Sequence, residues 1–287
     1  MSDSSEHLPV HPSEQQGSKS EALLIATAVD QLLSTGGIAA LTTLLEAPSE
    51  IVAIVGAKLL VDSSGSRVGT LGNPKLDDAV ARFAPKFLES REEARTFQLQ
   101  DLSEQLATNA RVLIERIQPE PRMVICGAGH VGASLAKLAN LTGYGVTLID
   151  DRSDFLTRER FAETGIQLVV AQSWADAVRT SIGNGGGVAV AIVTRGHNED
   201  EECLRAVMTT TPDYVGLIGS KRRTNIVLGR LRERGVDEAR LRMVRAPIGL
   251  DIGAVTPEEV ALAILAEIVS ARRGGKGESL SSWRRAP

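Results

Sequence analysis

The chain has 287 residues and 43% hydrophobic content, enough for one large domain or two ordinary ones with real cores. Its 36 acidic and 32 basic residues leave a net charge of −4 spread along the chain, which argues against a nucleic-acid stripe or a membrane-surface patch. The two cysteines, Cys126 and Cys203, lie far apart without CxxC or histidine clusters. Neither a disulfide framework nor a metal site is expected, and both read as reduced, packed thiols.

Residues 1–19 are rich in Ser, Glu, Gln and Pro and read as a disordered tail, with neither the basic flank nor the apolar stretch of a signal peptide. No apolar run approaches the roughly 18 residues of a membrane span, so a cytoplasmic protein without a membrane partner is expected. From Ser20, Leu24, Ile25, Ala28, Val29, Leu32 and Leu33 recur at helical spacing until Gly36 and Gly37 stop them. "IAALTTLLEA", "IVAIVGAKLLV" and "RVGTLG" follow as short strands between turns. Leu76, Val80, Phe83, Phe87 and Leu88 mark a second helix, and "TFQLQ" and "RVLIERI" read as further strands. Residues 20–117 are thus expected to form a smaller N-terminal α+β domain.

Two prolines within Gln118–Pro121 suit a linker, because each restricts its own φ and the residue before it. Beyond it "MVIC", "VTLID", "IQLVV", "VAVAIVT", "YVGLIG" and "RMVRAP" alternate with helical segments near Val131, Phe155, Trp174, Asp200 and Arg222. Such alternation specifies a doubly wound parallel sheet, a Rossmann-like α/β domain over residues 118–272. Its last helix opens with Thr256 as N-cap, Pro257 at the first position and Glu259 closing a capping box. Residues 273–287 read as a flexible tail.

Gly127, Gly129 and Gly132 form G-x-G-x-x-G between "MVIC" and a helix. The first glycine suits a tight turn, the second lets backbone approach a pyrophosphate, and the third lets helix and strand pack closely. Ala128, His130 and Val131 complete this stretch as candidate ligand contacts, and His130 could donate to a phosphate or simply stand in solvent. Asp150 ends the next strand, where an acid reads a ribose diol, and Asp151 and Arg152 follow it. This favours NAD over NADP.

After the later strands come Thr194, His197 and Asp200, candidates for an acid–base pair, with Asp200 as a helix cap the alternative. Gly219, Ser220, Lys221 and Arg222 make a second anion-friendly junction, and Arg223 reads as a solvated helix charge. No Tyr-x-x-x-Lys, HExxH, G-x-S-x-G or GxxxxGK[ST] motif occurs.

"GAGHVG", "LIDDR", "TRGHNEDEECL", "YVGLIGSKRR" and "APIGLDIGAVTPEEVALAILAEI", in this order, resemble the XdhC/CoxI family of accessory factors for xanthine and carbon monoxide dehydrogenases. The resemblance covers about residues 121–272. It implies binding of molybdenum cofactor, in molybdopterin or dinucleotide form, its sulfuration, and delivery to a client molybdenum hydroxylase. A cysteine desulfurase as a further partner and a homo-oligomeric state come with it. The N-terminal domain departs from the family pattern. Lys75 stands where a family cysteine would fall, Ser49–Val52 replace a Ser-x-Pro-Arg segment, and "ATNA" replaces Cys-Gly-Gly. Two other readings stay open: an NAD(P)-dependent oxidoreductase using His197 or Asp200, and a non-catalytic nucleotide sensor.

Overall fold

In a computed structural model the chain divides into two units, Met1–Pro119 and Glu120–Pro287. The residues described are 12–47, 54–90, 92–102, 110–162, 165–183 and 186–281.

The first unit carries an antiparallel sheet in the order β3-β2-β1-β5-β4. Its strands are β1 (Ala39–Glu46), β2 (Lys58–Asp62), β3 (Arg67–Gly69), β4 (Ala94–Gln98) and β5 (Arg111–Ile117). The helices are α1 (Pro12–Ser34), α2 (Pro74–Ser90) and the short α3 (Leu99–Leu102). One face of α2, carrying Leu76, Val80, Ala84 and Phe87, packs on Leu44, Leu59, Val112 and Ile114 of the sheet. Buried positions alternate along β5 as the pleat requires.

The second unit is a parallel sheet in the order β10-β9-β6-β7-β8. It is built from β6 (Arg122–Cys126), β7 (Gly145–Asp150), β8 (Ile166–Val170), β9 (Val188–Ile192) and β10 (Tyr214–Leu217). The helices are α4 (His130–Leu141), α5 (Trp174–Ile182), α6 (His197–Val207), α7 (Lys221–Glu233), α8 (Glu238–Arg242) and α9 (Pro257–Arg273). Every residue of β9 is buried, as expected of a central parallel strand covered on both faces. Successive side chains of β6 serve opposite cores. Met123 and Ile125 join Leu135 of α4 and Ile264 of α9, whereas Val124 and Cys126 join Trp174 of α5, Leu204 of α6 and Val227 of α7. The chain runs outward from β6 to β7 and β8, then returns through α5 to place β9 against the other side of β6. The strand order reverses there, and that point in a doubly wound sheet opens a crevice at the carboxyl ends of the strands.

Several sequence expectations need correction. α1 starts at Pro12 rather than Ser20, because proline suits a first helical turn and the polar residues after it extend a helix without adding to its apolar stripe. Residues 1–11 and 48–53 and most of "ATNA" lie outside the described residues. "TFQLQ" is split, its last two residues turning into α3. "RMVRAP" is not a strand: Arg245 makes one bridge to Gly216 before Pro247, and Arg242 ends α8, a helix the periodicity did not reveal.

α4 seats on the end of β6 through a close backbone approach at Gly132. A Cβ on Gly132 would lie 1.8 Å from the carbonyl oxygen of Gly127. Gly132→Ala should therefore destabilise the second unit at the upper end of the ~1–3 kcal/mol typical of overpacking, or more. Urea unfolding followed by circular dichroism would measure the loss.

Candidate functional site: the glycine turn and its crevice

Two of the three glycines are sterically required, and the third stands beside open space. Gly127 has φ +113°, and a Cβ there would lie 2.6 Å from the Val193 carbonyl oxygen, so both backbone angle and space require glycine. Gly132 allows the helix contact described above. Gly129, with φ −65° and ψ −172°, adopts an ordinary extended conformation, and a Cβ on it would meet nothing within 4 Å. Gly129 is the N-cap of α4 and offers no side-chain acceptor, so the first-turn N–H groups of His130, Val131 and Gly132 have no capping oxygen. Ala128 is buried, His130 is exposed and Val131 packs partly against the core. Across the crevice, α6 also begins at a glycine N-cap, Gly196, again without a side-chain cap.

Asp150 does not present itself to a ribose. Its residue is 1% exposed, and its carboxylate accepts hydrogen bonds from the Ala128 N–H (2.7 Å), the Arg152 N–H (3.0 Å), Arg152 Nε (2.8 Å) and Arg152 Nη2 (3.0 Å). Burial alone would push its pKa up, but hydrogen bonds from Arg152 and Ala128 outweigh that and bring it down to about 2. Reading a diol would require these acceptors to be surrendered inside the protein, so Asp150 acts as a brace for the turn. The Arg152 guanidinium stacks on the Phe155 ring, 3.7 Å from its centroid. Asp151 instead faces outward and pairs with Arg195, at 3.1 Å from Nη1 and 2.8 Å from Nη2.

His197 and Asp200 are not brought together as a hydrogen-bonded pair. Asp200 is fully buried and accepts from Thr194 Oγ1 (2.5 Å) and from Arg223 Nε (3.0 Å) and Nη2 (2.5 Å). Burial pushes its carboxyl above the ordinary range, against the opposing pull of Thr194 and Arg223. It is neither the helix cap, which is Gly196, nor a group open to a substrate. His197 is exposed at the first position of α6. Arg223 is not a solvated charge but the buried carboxylate's partner, tying α7 to α6. Ser220 caps α7 by accepting from the Arg223 N–H, Gly219 takes φ +141°, and Lys221 and Arg222 stand exposed at the start of α7. Cys126 and Cys203 are both fully buried, and burial beside Cys126 drives the Cys203 thiol far up in pKa, which suits packing rather than reaction. Among the described residues, no three His, Cys, Asp or Glu side chains are grouped to hold a metal.

Sequence reasoning passed over Arg195, although it stands beside Thr194. Its charge distinguishes it from no other surface arginine, and only the fold brings it to Asp151. A groove of about 770 Å³ along β7, β8 and α5, lined by Arg122, Thr147, Gln167, Ser173 and Thr180 among others, is separate from the glycine turn. Its lining mixes apolar side chains such as Val146, Ile166 and Val169 with the polar ones.

The fold and the turn together define an XdhC-type Rossmann domain. Residues 123–268 match the XdhC Rossmann domain, and residues 32–99 match the XdhC and CoxI family. The chain belongs to the XdhC family. It is 31% identical over 229 residues to the uncharacterized protein YqeB of Escherichia coli K12, covering 77% of this chain and 41% of that protein. It is 28% identical to a probable xanthine dehydrogenase subunit of Bacillus subtilis 168, covering 61% of this chain and 52% of that one. Over 84 residues it is 32% identical to the molybdenum cofactor insertion chaperone PaoD of E. coli K12, covering 29% of this chain and 26% of PaoD. The chain thus spans about half or less of the length of the curated relatives it matches. At the position where the resemblance places a family cysteine, Lys75 lies in the first turn of α2 and donates its N–H to the Asn73 side chain at 3.0 Å. No helix among the described residues is long and apolar enough to cross a membrane.

The brace has a pH signature. Because the folded pKa of Asp150, about 2, lies below the ~3.9 of an unfolded aspartate, its stabilisation is complete above about pH 4 and is lost as pH falls toward 2. Asp150→Asn should cost about 2 kcal/mol at neutral pH, since Arg152 stays partly hydrated after losing its charged partner. The difference from the parent should shrink between pH 4 and pH 2, as measured by urea unfolding at each pH.

Proposed function

We propose that this chain is a cytoplasmic maturation factor that binds molybdenum cofactor and assists its insertion into a client molybdenum hydroxylase. Family membership and the relation to PaoD support this reading. The structural observation that carries it is the uncapped start of α4 at Gly129, beside open space at the crevice. N–H groups there suit a phosphate or pyrophosphate, which the dinucleotide form of the cofactor contains. In this proposal Gly127–Gly132 form the main anchor, Thr194 and His197 line the opposite rim, and Gly219–Arg222 receive a second anionic group. Asp150, Asp151 and Arg152 shape the turn rather than read a sugar.

The residues favour a carrier over a dehydrogenase. Asp200 is sequestered by Thr194 and Arg223 and is not hydrogen-bonded to His197, and no Tyr-x-x-x-Lys pair is present to protonate a carbonyl. Sulfuration belongs to the proposal only through a partner such as a cysteine desulfurase, because both thiols of this chain are buried. A homo-oligomer would present the crevice to its client in more than one copy.

Purification from a host that makes molybdenum cofactor, followed by assays of bound molybdenum, pterin fluorescence and nicotinamide, tests the proposal. Molybdenum and pterin should be retained together, and Gly129→Val should lose about tenfold or more of both while unfolding at nearly the parent temperature. Stoichiometric nicotinamide without pterin would overturn the reading. So would steady NAD-linked turnover of small alcohols or aldehydes that His197→Ala abolishes.

A further inference from the structure

The ion pair between Asp151 and Arg195 crosses the mouth of the crevice. β7 and β9 flank β6 on either side, so at ~4.8 Å per strand their ends stand roughly 10 Å apart. Asp151 follows the last residue of β7, and Arg195 lies just past β9. For the two to meet at 2.8 and 3.1 Å, their side chains must close over the end of β6, where Gly127 begins the turn. The Thr194 Cα confirms the proximity, since it would lie 3.0 Å from a Cβ placed on Gly127. A pyrophosphate seated at the start of α4 would lie close to this bridge.

We propose that Arg195 is a phosphate-contacting residue of the crevice and that Asp151 is its resident competitor, so that bridge and ligand exclude one another. The proposal rests on the crevice being a site for a pyrophosphate-bearing ligand. Arg195 presents both terminal nitrogens to a carboxylate, the same fork that binds two oxygens of a phosphate. Glu199 lies 3.6 Å from Arg195 Nε and can keep the side chain in place while the terminal nitrogens change partner. Arg152 Nε lies 3.9 Å from Asp151 and leaves the displaced carboxylate a cationic neighbour. Exposure separates this pair from the others around the crevice. The side chains of Arg195 and Asp151 are 47% and 32% exposed, whereas the carboxylates of Asp150 and Asp200 are 2% and 0% exposed. An exposed ion pair is weak and exchanges readily, and a buried one does not. The bridge thereby holds the Arg195 charge against Asp151 and releases it only to a ligand that outcompetes a carboxylate.

Titration calorimetry of the full chain with ADP-ribose, at low salt, tests this. Asp151→Asn should tighten binding about threefold by freeing Arg195, the scale of one exposed ion pair. Arg195→Met should weaken binding about tenfold, the scale of a charge-assisted hydrogen bond. In the double variant the gain from Asp151→Asn should vanish, because no guanidinium remains to release. If that gain persists in the Arg195→Met background, Asp151 acts only through its field and the exclusion is wrong. If Arg195→Met binds like the parent while Gly129→Val does not, the bridge is a surface ion pair and the anchor reading stands without it. Should neither the parent nor Asp151→Asn bind ADP-ribose, the exclusion is wrong, while retention of molybdenum and pterin separately decides the reading on which it rests.

Discussion

The approach of α4 to β6 is the constraint on which the site depends. With 1.8 Å between a Gly132 Cβ position and the Gly127 carbonyl oxygen, the helix meets the strand backbone to backbone. That distance carries the start of α4 to the carboxyl end of β6, which is where a parallel sheet leaves a crevice. The left-handed φ of Gly127 turns the chain within one residue, and the Ala128 N–H then falls within reach of Asp150. Turn, helix and acid are therefore one packed unit.

Electrostatics around the crevice are arranged in two layers. Below, Asp150–Arg152 and Asp200–Arg223 are buried carboxylates, each held by an arginine and further donors, and they fix the turn to β7 and α7 to α6. Such pairs contribute definition more than net stability, because desolvation offsets much of their attraction. Above them stand groups in water: His130, His197, Lys221, Arg222 and the Asp151–Arg195 bridge. Rigid charges below and exchangeable charges above are the arrangement that the proposed uptake and release of an anionic ligand would use. The same division seals Asp200, whose carboxyl burial pushes above the ordinary range, from solvent.

Much of the chain's architecture is legible in its sequence. The alternation of apolar runs and helical stripes from Met123 onward specified a parallel sheet, and Gly127 and Gly132 each have a steric reason for their place. Less legible were elements without a periodic signal. α8 spans only five residues, and Arg245 contributes a single bridge where a strand was expected. Polar residues from Pro12 onward extended α1 although they resemble a disordered tail in composition.

What the sequence determined by itself follows from local rules: period, turn chemistry, the glycine spacing and the capping box at Thr256, where both reciprocal bonds are present. These depend on neighbours within a few residues, so they can be read along the chain. Partner choice among charges depends on tertiary structure. Asp150 looks like a sugar reader until Arg152 and Ala128 fill its acceptors, and Asp200 looks like an acid–base group until Arg223, 23 residues away, takes it. Asp151 and Arg195, separated by 44 residues, meet only because β7 and β9 lie on either side of β6. An aspartate carries the same charge wherever it stands in the sequence; burial and geometry decide whether that charge is held inside the protein or offered to a ligand.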